Sequence, residues 1–269
     1  MPITSDYHLH TPLCHHATGP MEAYLERAIE LGLGEVGFAC HNPLPDNLGA
    51  DVRMRESDLE YYVQRVRDLQ FQYHGRIDVL LGLEMDYVPH LADYLARQVA
   101  QYPWDYIIGS IHYLDPACRL GAWSRHLPFD ADEHYVRYYQ LVRQLARSGL
   151  CDIIGHLDVA KRSGQFPGPR GLAELHEALA DIAAADRCLE VNTSGYRHTD
   201  VVVPEPYPAL PIVEEALARG IPLVVNSDAH APECVGMMFA EMREALTRRG
   251  CRQLARFAQR KRECCPLSG

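Results

Sequence analysis

Apolar and polar positions along the chain alternate between two rhythms. Short apolar runs that read as strands are followed by longer segments with a helical period of apolar residues. The first strand-like run is Thr4 to Leu9, and a helix fits Met21 to Leu31, with Pro20 suited to its first turn. Val36 to Cys40 is the second strand; Ser57 with Glu60 forms a capping box that opens a helix to about Tyr73. The third strand is Ile77 to Leu83, followed by a helix around Leu91 to Gln101. Tyr106 to Ile111 is the fourth, and Asp130 caps a helix that runs through Arg147. Asp152 to Gly155 precedes a helix over Leu172 to Ala185. Cys188 to Val191 precedes one over Pro211 to Arg219, stopped by Gly220. Leu223 to Asn226 is the seventh strand, and a last helix ends before Gly250.

Seven strand–helix units in one series predict an α/β protein whose parallel strands are joined by helical crossovers. No linker interrupts them, so residues 1–269 are expected to form a single domain. The length, 269 residues, suits one barrel of about 250 residues, although an open doubly wound sheet fits the same rhythm. The longest breaks, around 43–52, 116–128 and 163–170, are expected to be functional loops. A net charge of −10 leaves no basic surface for the phosphates of a nucleic acid. The opening residues lack a basic n-region, and no run approaches the roughly 20 apolar residues that cross a bilayer. Nine cysteines, an odd number without a C-x-x-C pair, read as reduced thiols, so a cytoplasmic protein without a membrane partner is expected.

Fourteen histidines are the unusual count, and their positions carry the chemistry. The strands end, in order, at His8 and His10, His41, Glu84, His112, His156, Asn192, then Asp228 and His230. That rim is where active sites of parallel α/β folds are built. Residues i and i+2 of a strand share a face, so His8-x-His10 and Asp228-x-His230 can each aim two donors into one cavity. Ser110-x-His112, His156-x-Asp158, Glu84-x-Asp86 and Glu190-x-Asn192 repeat the spacing. His16, after a turn containing Pro12 and Cys14, can bend back over the rim. Imidazoles with carboxylates suit Zn²⁺, Mn²⁺ or Fe²⁺ better than Ca²⁺ or Mg²⁺. At about four ligands per ion, His8, His10, His16, His41, Glu84, His112, His156, Asp228 and His230 can hold two or three ions, with a carboxylate such as Glu84 as a bridge. His74, His90, His126, His134, His176 and His198 read as surface or packed side chains, and His15 as a neighbour rather than a ligand. The basic run Arg260 to Arg262 needs no partner to explain it, and adjacent Cys264 and Cys265 read as an oxidation-prone tail.

Six motifs in order carry a family resemblance: Asp6-Tyr-His8-Leu-His10-Thr11, His41, Gly82-Leu-Glu84, Gly109-Ser-Ile-His112, Gly155-His156-Leu-Asp158 and Ser227-Asp228-Ala-His230. Together they resemble the polymerase-and-histidinol-phosphatase (PHP) superfamily over residues 6 to about 235. Thr11-Pro-Leu-Cys14-His-His16, Arg53-Met54, Gly109 to Tyr113 and Val191 to Arg197 resemble its histidinol-phosphate phosphatases. The resemblance implies a distorted (β/α)7 barrel with three metals: one on His8, His10, Glu84 and Asp228, a second on Glu84, His112 and His156, and a third on His16, His41 and His230. Cys40 stands where family members commonly carry an acidic residue before the second-motif histidine.

The implied reaction is hydrolysis of L-histidinol phosphate to L-histidinol and phosphate, a step of histidine biosynthesis. Phosphate monoesters call for accelerations up to ~10²¹, whereas one general base contributes only about 10²–10⁴; clustered metals supply several terms together. The expected nucleophile is a hydroxide bridging two ions. Arg197 and Lys161, with Arg53 behind them, are expected to ion-pair with the phosphoryl oxygens. Asp158 or a metal-bound water is the expected leaving-group acid, and Asp86 either holds the substrate amine or makes a structural hydrogen bond. Other PHP phosphoesterases acting on a small nucleotide or phosphotyrosine, and a metal-binding barrel without turnover, remain open readings at this point. An amidohydrolase commonly uses a modified lysine as its bridging ligand; Glu84 on the third strand favours phosphoester chemistry.

Overall fold

The computed structural model describes residues 3–126, 128–198 and 204–267. Leu127 of the loop expected at 116–128, and Met1 and Pro2 of the opening segment, lie outside the described residues. Seven parallel strands follow one another around the sheet in chain order: β1 (Ser5–Leu9), β2 (Glu35–Phe38), β3 (Asp78–Asp86), β4 (Tyr106–Ser110), β5 (Ile153–Ile154), β6 (Cys188–Asn192) and β7 (Leu223–Asn226). Between them run α1 (Met21–Glu30), α2 (Leu59–Gln72), α3 (Ala92–Gln101), α4 (Ala131–Ser148), α5 (Pro169–Ala184) and α6 (Leu210–Ala218), and α7 (Phe239–Arg248) follows β7. No helix among the described residues is long and apolar enough to cross a membrane.

The sheet is a nearly closed barrel. At the seam, β1 and β7 pair directly only near their C-terminal ends, where His10 N–H donates to Ala229 O and Ala229 N–H to His8 O, both at 2.9 Å. Below that point side chains replace the ladder. Asn226 Oδ1 accepts Tyr7 N–H at 2.9 Å, and buried Asp6 accepts the amides of Ser227 and Gly236. An open doubly wound sheet is thereby ruled out.

The barrel interior is layered. Tyr106 lies across the strands and donates its hydroxyl to Tyr7 O at 2.6 Å. Gly37 and Gly82 make room for it, since a Cβ on either would fall about 2 Å from the tyrosine (2.1 and 2.2 Å). Below, Tyr7 and Phe257 meet edge-to-face with centroids 6.4 Å apart; above, the interior turns polar. The main apolar core lies between the strands and the helices.

Two expectations are corrected. α2 starts at Leu59, directly after a short 3₁₀ turn at Glu56–Asp58, and the cap uses Asp58, whose Oδ2 accepts Arg55 N–H at 3.0 Å; Ser57 Oγ bonds Asp58 instead. The tail is no loose end. It forms an antiparallel hairpin, β8 (Gln253–Ala258) with β9 (Lys261–Pro266), which closes the N-terminal mouth of the barrel. Arg256 pairs with Glu35, Arg260 with Asp152 and Arg262 with Asp186, so ion pairs within the chain account for the arginines of the basic run. Gln259 and Arg260 both take positive φ (51° and 62°), the backbone of a type I′ turn that normally advertises itself with Asn-Gly. Here Asp105 holds the turn through Arg260 N–H (2.8 Å) and Gln259 N–H (3.2 Å).

Gly82→Ala is expected to lower the urea midpoint by the equivalent of about 3 kcal/mol or more, because the new methyl has no space. Tyr106→Phe, which loses one hydrogen bond, should cost only about 1 kcal/mol. Equal effects in equilibrium unfolding would contradict this account of the barrel interior.

Candidate metal centre

Every residue expected as a ligand converges at the C-terminal mouth. β1 carries His8 and leads into His10; β3 continues three residues past its expected end and so holds Glu84 and Asp86 within the strand. His41, His112 and His156 follow β2, β4 and β5, while Asp228 and His230 follow β7. His16 returns over the rim from the turn after β1, placing its Nε2 2.9 Å from His230 Nε2.

Among the described residues five donor groups occur; two, His10 with Cys14 and His230, and His41 with Asp86 and His112, cross between the expected sets, and three match the ligand sets implied by the resemblance. His8, His10 and Glu84 form one, Glu84, His112 and His156 the next, and His16, His41 and His230 the third, each with donor atoms within 4.8 Å of one another. Asp228 Oδ1 adds itself to the first, 3.0 Å from His10 Nε2 and 3.8 Å from His8 Nε2. His112 Nε2 and His156 Nε2 stand 3.1 Å apart, near the roughly 3.3 Å that two nitrogens span on a tetrahedral ion with bonds of about 2.0–2.1 Å. His8 Nε2, His10 Nε2 and Glu84 Oε2 are buried and have no hydrogen-bond partner among the described residues. Buried lone pairs aimed at one another in this way are what a cation relieves. The donor set therefore fits divalent metals, and the same triads are hard to explain as packing.

Acceptors at the far side of several rings fix which nitrogen faces inward. Glu190 Oε1 sits 2.6 Å from His8 Nδ1; Asp86 holds His112 Nδ1; Cys14 O holds His16 Nδ1 at 2.7 Å; Asp228 O holds His230 Nδ1 at 3.0 Å. Such carboxylate and carbonyl partners orient ligating imidazoles and raise their basicity. Glu190 also accepts His156 N–H at 2.8 Å and the Asn226 side-chain amide. Its spacing with Asn192 was the signal available in the sequence, which left it outside the ligand list. Asp86 is committed to Arg53 and His112, so it is not free for a substrate amine.

The electrostatics are those of cations held in reserve. Burial favours the neutral form of His8, but Glu190, Asp228 and Glu84 override it and hold the imidazole well above its usual pKa. His10 is likewise buried, yet Asp228 and Cys14 raise it to about 9. Burial takes His41 down to about 4 and His230 to about 2, helped in both by charged His10. Burial alone would raise Glu84 and Asp228; the surrounding imidazoles instead hold both carboxyls well below the usual range.

The centre forms the floor of a cavity of about 720 Å³, walled by Arg53, Tyr113, Trp123, Arg162, Arg197 and Tyr207. Arg197 reaches it from the turn after β6; its Nη2 donates to Asp228 O at 2.6 Å, and its Nη1 is buried without a partner among the described residues. Lys161 and Asp158 occupy a different place from the one expected. They do not line the cavity. Lys161 Nζ is consumed by Asp158 (3.0 Å), Glu205 (3.0 Å) and Pro206 O (2.8 Å), beneath the ring of Tyr207. The neighbouring Arg162 lines the cavity instead, its guanidinium 5.3 Å from the Trp123 ring centroid. Adjacent residues in a 3₁₀ turn point about 120° apart, so sequence adjacency could not choose between them. His198, expected to be an ordinary packed or surface side chain, is also in the cavity wall.

This chain belongs to the PHP domain family, whose profile matches residues 6–194. Within it, the chain is 41% identical over 244 residues to a probable histidinol-phosphatase of Deinococcus radiodurans, covering 88% of this chain and 90% of that protein. It is 29% identical to the histidinol-phosphatase of Bacillus subtilis, covering 87% of this chain and 96% of the other. Its fold matches the crystal structure of histidinol phosphate phosphatase from Lactococcus lactis, complexed with zinc, L-histidinol and phosphate, at a TM-score of 0.81 and 21% identity, covering 97% of this chain and 99% of that one.

Because His8, His10, His16 and His112, whose imidazoles are all held above the usual pKa, must become neutral to ligate, metal uptake should release protons, and apparent affinity should rise with pH through the titration of His10 near 9. His41, neutral above about 4, adds nothing to this slope at neutral pH. Calorimetry in buffers of different ionisation enthalpy reads the release; a pH-independent affinity between 6 and 9 would contradict it. Glu190→Gln, which weakens the partner of His8, should lower metal affinity about 10–100-fold in chelator competition.

Proposed function

We propose that the chain is a metal-dependent histidinol-phosphatase that hydrolyses L-histidinol phosphate to L-histidinol and phosphate, a cytoplasmic enzyme of histidine biosynthesis formed by one domain over residues 1–269. The observation that carries this reading is the convergence of nine ligand-type side chains, eight in three triads of which two share Glu84 and the ninth, Asp228, beside the first, on the floor of a cavity with guanidinium nitrogens that lack partners among the described residues. The names and bound molecules of the relatives supply the substrate. Zinc is the ion named for one of them; manganese and iron suit the same donors.

In this reading His8, His10, Glu84 and Asp228 hold one ion, Glu84, His112 and His156 a second, and His16, His41 and His230 a third. Bound there, the ions supply a water that is acidic near neutral pH, together with positive charge for the phosphoryl oxygens. The chain's own residues do the rest. Arg197 Nη1 and Arg162 Nε, both buried and lacking partners among the described residues, are placed to donate to the phosphoryl group. Arg197 is held in place by its bond to Asp228 O, which ties phosphate binding to a metal ligand. The apolar faces of Trp123, Val52 and Val159 line the same cavity and exclude water around an organic leaving group. Lys161 and Asp158 act as positioning residues: Lys161 grips Pro206 O and Asp158 accepts Ala209 N–H, fixing the segment that presents Tyr207 to the cavity.

Phosphate release should be fastest with histidinol phosphate in a panel that includes a 5′-nucleotide and phosphotyrosine, and a chelator should abolish it until metal is restored. Arg197→Ala should lower kcat/KM by about 10²–10³ with the metal content unchanged. Preference for the nucleotide or phosphotyrosine would shift the substrate assignment, and full activity in Arg197→Ala would remove that residue from the site.

A further inference from the structure

One buried guanidinium is laced across three strand ends of the site. Arg53 arrives from the loop between β2 and α2, which is anchored in the core by Leu44 and Met54. Its Nη1 donates to Asp86 Oδ2 and, at 3.3 Å, to Asn42 O. Its Nη2 donates to the Tyr113 hydroxyl at 3.5 Å, and its central carbon lies 5.6 Å from that ring's centroid. Those partners follow His41, Glu84 and His112 by one or two residues. The loop closes over the guanidinium at Gly49, φ 68°, where a Cβ would stand 2.9 Å from Arg53 Nε. The fork is thus spent inside the protein rather than held free for a phosphoryl group. Asp86 is the partner that matters most. It turns one oxygen to His112 Nδ1 and the other to Arg53, and its own N–H is pinned to Asn42 Oδ1 at 2.9 Å.

We propose that Arg53 is a positioning residue that acts through Asp86: it fixes the carboxylate that orients His112, and so sets the site formed by Glu84, His112 and His156. The proposal rests on the reading of that triad as a metal site. The terminal torsion of an aspartate has a broad preference, so a single contact leaves the carboxylate free to swivel. Contacts on both oxygens fix its plane, and with it the direction in which His112 Nε2 points. Loss of an acceptor behind a ligating imidazole weakens the metal that the ring holds. Arginine suits this place because its planar fork serves several acceptors at fixed angles. A lysine ammonium is a compact point charge on a flexible stem and has no such fork. The bonds to Asn42 O and Tyr113 add a second effect. They tie the residues that follow His41 and His112 to the end of β3, so the loop between β2 and α2 braces the donors without touching an ion.

The test is zinc titration of the metal-free protein against a chromophoric chelator, with the urea midpoint of each variant measured in parallel. Arg53→Met should weaken one ion by about 10–100-fold and leave the others as tightly held as in the wild type. Arg53→Lys, which keeps a positive charge beside Asp86 and so protects folding, should also weaken that ion, by less. In an Asp86→Asn background the further change on Arg53→Met should be less than about twofold, because the two residues act as one unit. Wild-type affinity in either single variant that folds would overturn the proposal. So would tighter binding, as if the released Asp86 had become a ligand itself, or a uniform loss across all ions that follows the urea midpoint. Repetition of the full loss in the Asp86→Asn background would show that Arg53 does not act through Asp86, and would overturn it too. These affinities are read without substrate, so absence of histidinol phosphate turnover by the wild type would overturn the functional reading alone. A wild-type protein that takes up no zinc would remove the metal site on which this proposal stands.

Discussion

A single carboxylate governs this molecule. Glu84 is buried, and its two oxygens lie within 4 Å of nitrogens from His8, His10, His41, His112 and His156. Burial of one ionised carboxylate costs several kcal/mol unless positive charge and hydrogen bonds surround it. Ser110 supplies one hydrogen bond, 2.8 Å to Oε1, and His156 Nε2 lies at 3.0 Å from the same oxygen; positive charge supplies the rest. In the metal-free chain the raised proton affinities of His8, His10 and His112 supply that positive charge, while burial holds His41 and His230 low. Divalent ions replace the protons with stronger charge in the same place. The centre is therefore poised for metal, and its empty form is held together by the same carboxylate.

The two mouths of the barrel divide stability from chemistry. At the N-terminal mouth the hairpin of β8 and β9 lays Phe257 under Tyr7 and Tyr106 and spends its arginines on Glu35, Asp152 and Asp186. At the C-terminal mouth polar atoms are left without partners. Tyr106, wedged over Gly37 and Gly82, separates the two. It gives the strands a rigid floor, so that donors on six different strands or the turns just beyond them keep their mutual spacing. Misplacement by even half an ångström would loosen a metal triad, and a well-packed interior below the site is what prevents it.

The periodic features of the chain were legible because burial imposes them. Seven apolar runs became seven strands, and the i, i+2 spacing of His8 with His10 put both in the centre, since alternation follows from backbone geometry alone. Features without periodicity were not legible. The turn at Gln259–Arg260 adopts left-handed φ angles without glycine or asparagine because Asp105 and Asp152, more than a hundred residues away, hold it. Lys161 and Arg162 are both basic and adjacent, and only the position of Glu205 and Pro206 decides which one is consumed. Glu190 read as one more strand-end acid, and its distinction is the set of partners around it. In each case the missing information is a long-range contact rather than a local preference.

The seam between β1 and β7 shows why the barrel is distorted at the place where it works. A regular ladder there would tie up the backbone along both strands, but Asp6 and Asn226 take over part of that role with their side chains. Released from the ladder, the chain after β7 turns at Asp228 into the left-handed region, φ 53°, a conformation that costs a non-glycine residue free energy and persists only where the surroundings enforce it. That turn aims the Asp228 carboxylate at His10, and it presents the Asp228 carbonyl to both His230 Nδ1 and Arg197. One strained residue thus orients its own carboxylate, the His230 imidazole and the Arg197 guanidinium. The irregular closure supplies the geometry that a regular barrel could not.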